Sequence, residues 1–447
     1  MMARILSDYG MVLVLVALCV LFSALTVEEQ SPSGDAAADQ LLRQVESRCA
    51  KTDTILLVGA ERRESAALAR RLGPKLKDAG FVHARTVIGS PRDLALALDD
   101  LQAEGGTLAA VITDDDVAKW RVVERIPQTH PSLAGHTLLV PESYRWPNFL
   151  KQKNLLAIVD RIVVIAVIAI GMTMVIITAG IDLSVGSLIA LSAVIGTVVM
   201  KHLGGLQAPA WAVAAGFAAG TLACGLVGGF AGTAVAWFRV PPFITTLGIM
   251  MMARGLAFMI TGGFSVYQVP EALSWLGQGR SLGIPNTVLL LAGLYVLAHI
   301  FMAHTRLGRY IYAVGGNEQA SRLSGVPVKA VTVFVYVVSG LAAGLGGCIQ
   351  ASQLNTGTPN MGVMFELYVI AAVVVGGTSL AGGSGRILGT LIGAFIISVI
   401  QNGMNLLGME SYTQQVVLGG VILGAVLLDR LRRGAGLGTL LRKQFQR

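Results

Sequence analysis

Charge is scarce in this chain. Only 13% of its 447 residues are Asp, Glu, Lys or Arg, against 54% hydrophobic, which excludes a soluble globule of ordinary composition. Cysteine is equally sparse. Cys19, Cys224 and Cys348 fall inside apolar runs, where a thiol packs as a small hydrophobe, and Cys49 stands alone outside them, so there is no disulfide framework and no metal-binding cysteine spacing. The histidines outside the apolar runs, among them His83, His130 and His136, show no spacing suited to a metal or a nucleophile's base. A G-x-x-x-x-G-K-[ST] phosphate loop is missing, so the chain has no route of that kind to ATP. What is abundant is glycine, 54 residues, set among long apolar runs. Helices in lipid lack a hydrophobic drive to associate and rely on small residues for close approach, so this composition is that of a polytopic membrane protein. The net charge of +8 gathers at the ends of the apolar runs and in the C-terminal tail, a topological pattern that implies no nucleic-acid partner.

The first apolar run, Tyr9 to Thr26, can cross a hydrocarbon core of about 30 Å as a helix. Arg4 precedes it and Glu28 and Glu29 follow, which puts the N-terminus in the cytoplasm. Its layout resembles a signal peptide, but Ser23-Ala24-Leu25 is a poor cleavage site, and we read the run as a retained span. Further runs at Ile162 to Ala179, Ser187 to Met200, Trp211 to Trp237, Val240 to Thr261, Val288 to Met302, Val331 to Ala351, Phe365 to Leu380, Ile387 to Leu407 and Val416 to Leu428 bring the expectation to about ten transmembrane helices. Counting crossings places Arg239, Arg386 and the basic tail inside, with both termini cytoplasmic, and leaves Lys201 and Arg280 as isolated cations outside.

Three features interrupt these spans. The stretch Gly180 to Ser187, GIDLSVGS, carries Asp182 among small residues. An unpaired carboxylate is costly in lipid, so Asp182, with Ser184 beside it, either forms a gate or caps a helix starting near Leu183. Pro241-Pro242 removes two amide donors, so the span should enter as a broken or short helix, which makes Phe243, Thr245 and Thr246 candidates for a pathway wall or for plain helix packing. Glycines four apart, at Gly216/Gly220, Gly225/Gly229, Gly228/Gly232 and at Gly385, Gly389 and Gly393, are expected to line close helix crossings.

The segment Thr305 to Lys329 is polar and cation-rich within the apolar second half, with Arg306, Arg309, Arg322 and Lys329, and is therefore expected in the cytoplasm. Within it Glu318 to Leu323 should form a short helix: Gly315 and Gly316 supply a turn, Asn317 caps, Gly325 follows the end and Pro327 forbids continuation. So short a helix is unstable alone and needs a partner surface, unless the segment is only a basic loop.

Here a resemblance enters. Gly315, Gly316, Asn317, Ala320, Arg322, Leu323, Ser324 and Gly325 match a GGNxxAxRLSG pattern that resembles the coupling helix of the permease subunits of ribose-type sugar ABC importers. GIDLSVGS and Val240 to Gly248, VPPFITTLG, are similar to further motifs of that family and stand in the same order. The resemblance covers Arg145 to about Arg433 and the first span. It implies no catalytic residue, no cofactor bound by this chain and no metal. It also implies a separate ATPase subunit that hydrolyses ATP and pushes the segment from Gly315 through Glu318 to Gly325, a periplasmic sugar-binding protein, and a second permease copy, identical or not, in a bacterial inner membrane. Two alternatives from other classes stand beside it. An ion-coupled secondary transporter would need ionisable groups at mid-membrane, and Arg254 and Glu366 can both be placed near span ends. A membrane sensor would use the polar insert as its working domain.

That insert, roughly Val27 to Tyr144, is not covered by the resemblance. Gln30 to Gln40 reads as a linker, followed by strand-length runs at Thr54 to Gly59, Leu108 to Thr113 and His136 to Val140 with helical spacing over Ser65 to Gly80 and Pro91 to Glu104. The alternation predicts a small α/β domain with a largely parallel sheet on the periplasmic face. Asp114-Asp115-Asp116 could bind a cation but more commonly such a run caps a helix. The expected organisation is thus residues 1–26 as the first span, 27–144 as the insert, 145–433 as the permease domain, approached through an interfacial Trp146 and Phe149, and 434–447 as a basic cytoplasmic tail.

Overall fold

The computed structural model describes residues 2–61 and 63–432; the tail 434–447 lies outside the described residues. The chain divides into two compact units, one formed by Val27–Asn148 and the other by the chain on either side of it.

Helix α1 (Met2–Leu25) opens the larger unit. The unit Val27–Asn148 then runs β1 (Val27–Gln30), α2 (Gly34–Arg48), β2 (Ile55–Ala60), α3 (Glu64–Asp78), β3 (Ala84–Gly89), α4 (Pro91–Ala103), β4 (Ala110–Ile112), α5 (Asp115–Ala118), α6 (Arg121–Thr129), β5 (Thr137–Leu139) and β6 (Tyr144–Pro147). Its four-stranded sheet has the order β3-β2-β4-β5 with every pairing parallel. Strand β2 is buried along its whole length because helices cover both faces. Ile55 and Leu57 point toward Leu41, Leu72 and Leu76, whereas Leu56 and Val58 meet Leu94, Leu98 and Ile126. Strand β3 escaped the sequence reading because Ala84–Gly89 alternates weakly and sits at the sheet edge. The expected linker Gln30 to Gln40 is instead the end of β1 and the start of α2, whose Ala37, Ala38, Leu41 and Val45 are buried. Asp114 caps α5 by accepting from the Val117 amide at 2.9 Å. The unit is closed by β1 and β6, which pair antiparallel from Val27–Pro147 to Gln30–Tyr144 and so hold its two ends side by side.

The larger unit continues with α7 (Gln152–Ile177), α8 (Val185–His202), α9 (Ala210–Ala236), α10 (Pro242–Thr261), α11 (Ser274–Gly277), α12 (Asn286–His304), α13 (Arg306–Gly316), α14 (Glu318–Leu323), α15 (Val328–Leu354), α16 (Phe365–Val375), α17 (Ile387–Leu406) and α18 (Ser411–Arg432). Among the described residues, seven helices, α7, α8, α9, α10, α12, α15 and α17, are long and apolar enough to cross a membrane. Shorter apolar helices occupy Gly10–Leu25, Phe365–Val375 and Ser411–Leu427. Thr26 Oγ1 accepts the Phe149 amide at 3.1 Å and Phe22 stacks on Phe149, so the chain leaves and re-enters this unit at adjacent points. Phe149 is buried in that pair rather than placed at an interface.

Glycine sets how closely the helices approach. Helix α9 lies against α8 and α15: a Cβ at Gly220 would sit 2.6 Å from the Ser192 carbonyl oxygen, and one at Gly232 would sit 2.7 Å from the Val333 Cα. Cβ atoms at Gly389 and Gly393 would strike the carbonyls of Gly376 and Ala372, so α17 crosses α16 backbone to backbone. Gly385 precedes α17 and faces the Thr378 side chain, so the expected run of three glycines contributes two to this crossing. The double proline neither breaks nor shortens its span. Pro241 is the N-cap and Pro242 the first residue of a twenty-residue helix, where the missing amide hydrogen is one that no helix could satisfy.

Candidate functional site

The segment after α12 is more ordered than its polarity suggests. Thr305 accepts the Gly308 amide at 3.0 Å and caps α13, a helix the sequence reading did not foresee. Gly315 and Gly316 form its last residues instead of a turn. Gly315 is crowded by the chain around it: a Cβ there would overlap the Ile177 carbonyl, and the Gly383 amide donates to that same carbonyl at 2.8 Å. Tyr312 Oη donates to the Gly385 carbonyl at 3.0 Å. The end of α7, the end of α13 and the glycine-rich segment 382–385 are thereby joined at one point.

Helix α14 follows, its first turn capped by Asn317, which accepts from the Ala320 amide at 2.9 Å. Gly325 ends it with φ +80°. Of its six residues only Ser321 is buried, while Glu318, Ala320 and Arg322 are exposed and Leu323 is 90% exposed. A one-and-a-half-turn helix with an outward leucine has no source of stability other than its caps and a surface to lie on. Arg322 and Glu318 pair at 2.9 Å, four residues apart and open to solvent.

Two segments of backbone are unwound inside the helical unit. The first joins α7 to α8 through residues 178–184, with Ala179 at φ +60°. Asp182 lies here and is buried, and its carboxylate is fully engaged: Oδ1 accepts from the Ser184 amide at 3.0 Å and the Ser184 hydroxyl at 2.6 Å, and Oδ2 accepts from the Ser339 hydroxyl of α15 at 2.7 Å. Each such charge-assisted bond is worth about 1.5–3 kcal/mol, so three of them make burial of the carboxylate sustainable. Thr246 of α10, buried, donates to the Ile181 carbonyl at 3.3 Å and adds a third helix to the junction. Asp182, Ser184 and Thr246 thus come together. Thr245 is partly buried and does not join them by a hydrogen bond, and Phe243 points outward at 53% exposure.

The second unwound segment, residues 355–364, links α15 to α16. Its start pairs with Val266, whose amide donates to the Gly357 carbonyl at 2.8 Å, and it then runs back along α8. A Cβ at Gly357 would lie 2.7 Å from the Ala193 carbonyl and one at Gly362 would lie 2.8 Å from the Ile189 Cβ. Met364, at φ +69°, turns into the eleven-residue helix α16. Arg254 stands in the middle of α10, not at a span end: Nη1 donates to the carbonyls of Pro359 at 2.7 Å and Met361 at 2.6 Å. Ser339 and Ile177 were missed from sequence, and Arg254 was read only as an ionisable group that could sit near a span end. A lone serine in SGLAAGLGG carries no signal, but an arginine inside an apolar run does.

Helices long and apolar enough to cross a membrane thus surround two unwound segments, with a capped surface helix joined to one of them. Residues 154–426 match the family described as branched-chain amino acid transport system / permease component. The ribose import permease RbsC of Escherichia coli (strain K12) is 46% identical over 292 residues, 64% of this chain and 88% of that protein. RbsC of Bacillus subtilis (strain 168) is 41% identical over 302 residues, 67% and 92% of the two chains, and the D-allose transport system permease AlsC of E. coli (strain K12) is 38% identical over 283, 63% and 85%. The chain belongs to this family of transport permeases, and its role is that of a multi-pass membrane subunit of an ABC transporter rather than of an enzyme. The match begins after the α/β unit. No solved structure matches the chain.

Proposed function

We propose that this chain is the permease subunit of an ATP-driven importer of a monosaccharide of the ribose, allose or arabinose kind. The relatives named for ribose and allose, covered over 85% or more of their length, support the substrate class. One observation carries the mechanism: an unbroken mechanical path from α14 to the buried carboxylate. Force on Glu318, Ala320, Arg322 and Leu323 passes through Asn317 into α13, from Gly315 to the end of α7 at Ile177, and along residues 178–184 to Asp182, which is tied to α15. A separate ATPase subunit is the partner whose groove would take α14, and ATP stays with that subunit. Its closure tilts α7 against α15 and alternates access, a two-state device that both the ATPase and the loaded binding protein bias.

In this reading the shorter apolar helices cross the membrane with the seven long ones, making ten spans, and both termini and α14 lie in the cytoplasm. A second permease copy completes the pathway, and that copy or lipid would cover Phe243, which is exposed on the single chain. The α/β unit then lies on the periplasmic side, where a sugar-binding protein docks, and helps to capture it. Arg254 at mid-helix is the observation that favours an ion-coupled secondary transporter, yet its donors are committed to backbone carbonyls. The test is uptake of labelled ribose by cells carrying the chain with its ATPase and binding protein, competed by unlabelled ribose, allose, arabinose and leucine. Competition by sugars supports the reading, and competition by leucine alone refutes the substrate class.

A further inference from the structure

Resting on the permease reading, we propose that Arg254 is a positioning residue of the transport cycle, a latch that holds the unwound segment 355–364 against α8 and must release it when the pathway opens. The segment is fixed at two places. At its start the Val266 and Gly357 backbones pair in both directions, at 2.8 and 3.1 Å. Among the described residues no second backbone pairing of that kind holds it, and the carbonyls of Pro359 and Met361 are taken by the two short bonds from Arg254 Nη1. Nη2 reaches toward the Gly186 carbonyl in the first turn of α8 at 3.4 Å, so one guanidinium spans α10, α8 and the segment. Bare carbonyls are costly within a membrane, and neutral donors such as asparagine or serine could satisfy them at lower cost than a cation. What arginine adds is a rigid fork that serves several acceptors from one side chain, so all these bonds form or break together. That is the behaviour of a two-position element. Gly186 makes room for the closed arrangement: a Cβ there would lie 2.6 Å from the Gly362 carbonyl and would overlap the Glu366 carboxylate.

The experiment reads the position of the segment independently of transport. Met361 is 4% exposed, so a cysteine there is shielded while the segment is seated. In full-length protein carrying Cys49→Ser and Met361→Cys, with the Cys49→Ser parent as background, labelling by a membrane-impermeant maleimide is timed in detergent. Arg254→Gln should raise the rate about tenfold, the change in open population expected from one lost hydrogen bond to a charged donor. Arg254→Lys, which keeps the cation but not the planar fork, should also raise the rate more than about twofold, an outcome that a role for charge alone would not give. Gly186→Ala displaces the same segment without touching Arg254 and should also raise labelling. Unchanged labelling in monodisperse Arg254→Gln or Gly186→Ala protein overturns the proposal, and so does failure of both variants to reach the membrane, which would make the segment a folding contact. Because no sugar or ATP enters the measurement, its failure leaves the importer reading standing, and loss of sugar uptake leaves the latch standing.

Discussion

Replacing Gly389 with leucine should cost this protein more stability than its exposure would suggest. The obstacle to a Cβ at that position is the Gly376 carbonyl of the facing backbone, followed by the Gly376 carbon at 3.5 Å. Backbone cannot rotate aside as a side chain can, so α17 and α16 must separate, and Gly393, whose Cβ position lies 2.7 Å from the Gly376 amide nitrogen, would lose its contact as well. Overpacking commonly costs 1–3 kcal/mol, and with rigid partners on both sides we expect about 3 kcal/mol, or roughly 3–4 °C in thermal midpoint for a unit of this size. Gly255→Leu is the matched control, because a Cβ at Gly255 meets nothing within 4 Å and leucine gains about 1 kcal/mol in helix propensity over glycine. Size-exclusion profiles of heated, detergent-solubilised protein give both midpoints. Equal midpoints for the two variants would show that glycine does not set the α16–α17 crossing.

Arg322→Glu should abolish uptake while leaving yield and thermal midpoint unchanged, since Arg322 is exposed and its pair with Glu318 is worth only about 0.2–0.5 kcal/mol; wild-type uptake in the variant would remove α14 from the coupling path. Exchanging Glu29 to Tyr144 for a short Gly/Ser linker should preserve ATPase-subunit binding, because Thr26 and Phe149 already touch, and should weaken binding-protein affinity; unchanged affinity and uptake would make the insert a spacer. The amide and hydroxyl of Ser90 hold the Asp93 carboxyl below the usual carboxylate range. A group whose folded value is depressed contributes stability above its unfolded value near 4 and loses it as pH falls through the folded value, so the deficit caused by Asp93→Asn should be present at pH 7 and vanish in acid. A deficit of constant size across that range would contradict the capping box.

The limits of the α14 helix were legible in the sequence because each end carries local chemistry: Asn317 as cap, Gly325 and Pro327 as stop. The glycine crossings were legible as spacing but not as partners, since Gly389 says nothing about Gly376. Asp182 was readable as a charge that must be satisfied, whereas Ser339, which satisfies it from across 157 residues of chain, was not. The double proline misled because local rules cannot tell a helix start from a helix break. The descent of residues 355–364 was hidden for a related reason: a polar run after an apolar span reads as a loop, and only Arg254, a lone cation on another helix, marks where it goes. In the α/β unit β3 was lost because an edge strand with one covered face has little apolar pattern to show.

The central claim, that this permease moves a sugar inward with energy from a partner's ATP, is tested most directly in proteoliposomes. The chain is reconstituted with its ATPase subunit, the binding protein and labelled ribose are placed outside, and ATP is sealed inside. The account predicts accumulation that requires ATP, requires the binding protein, is lost in Arg322→Glu and is indifferent to proton or sodium gradients. Accumulation driven by an imposed ion gradient without ATP would contradict it.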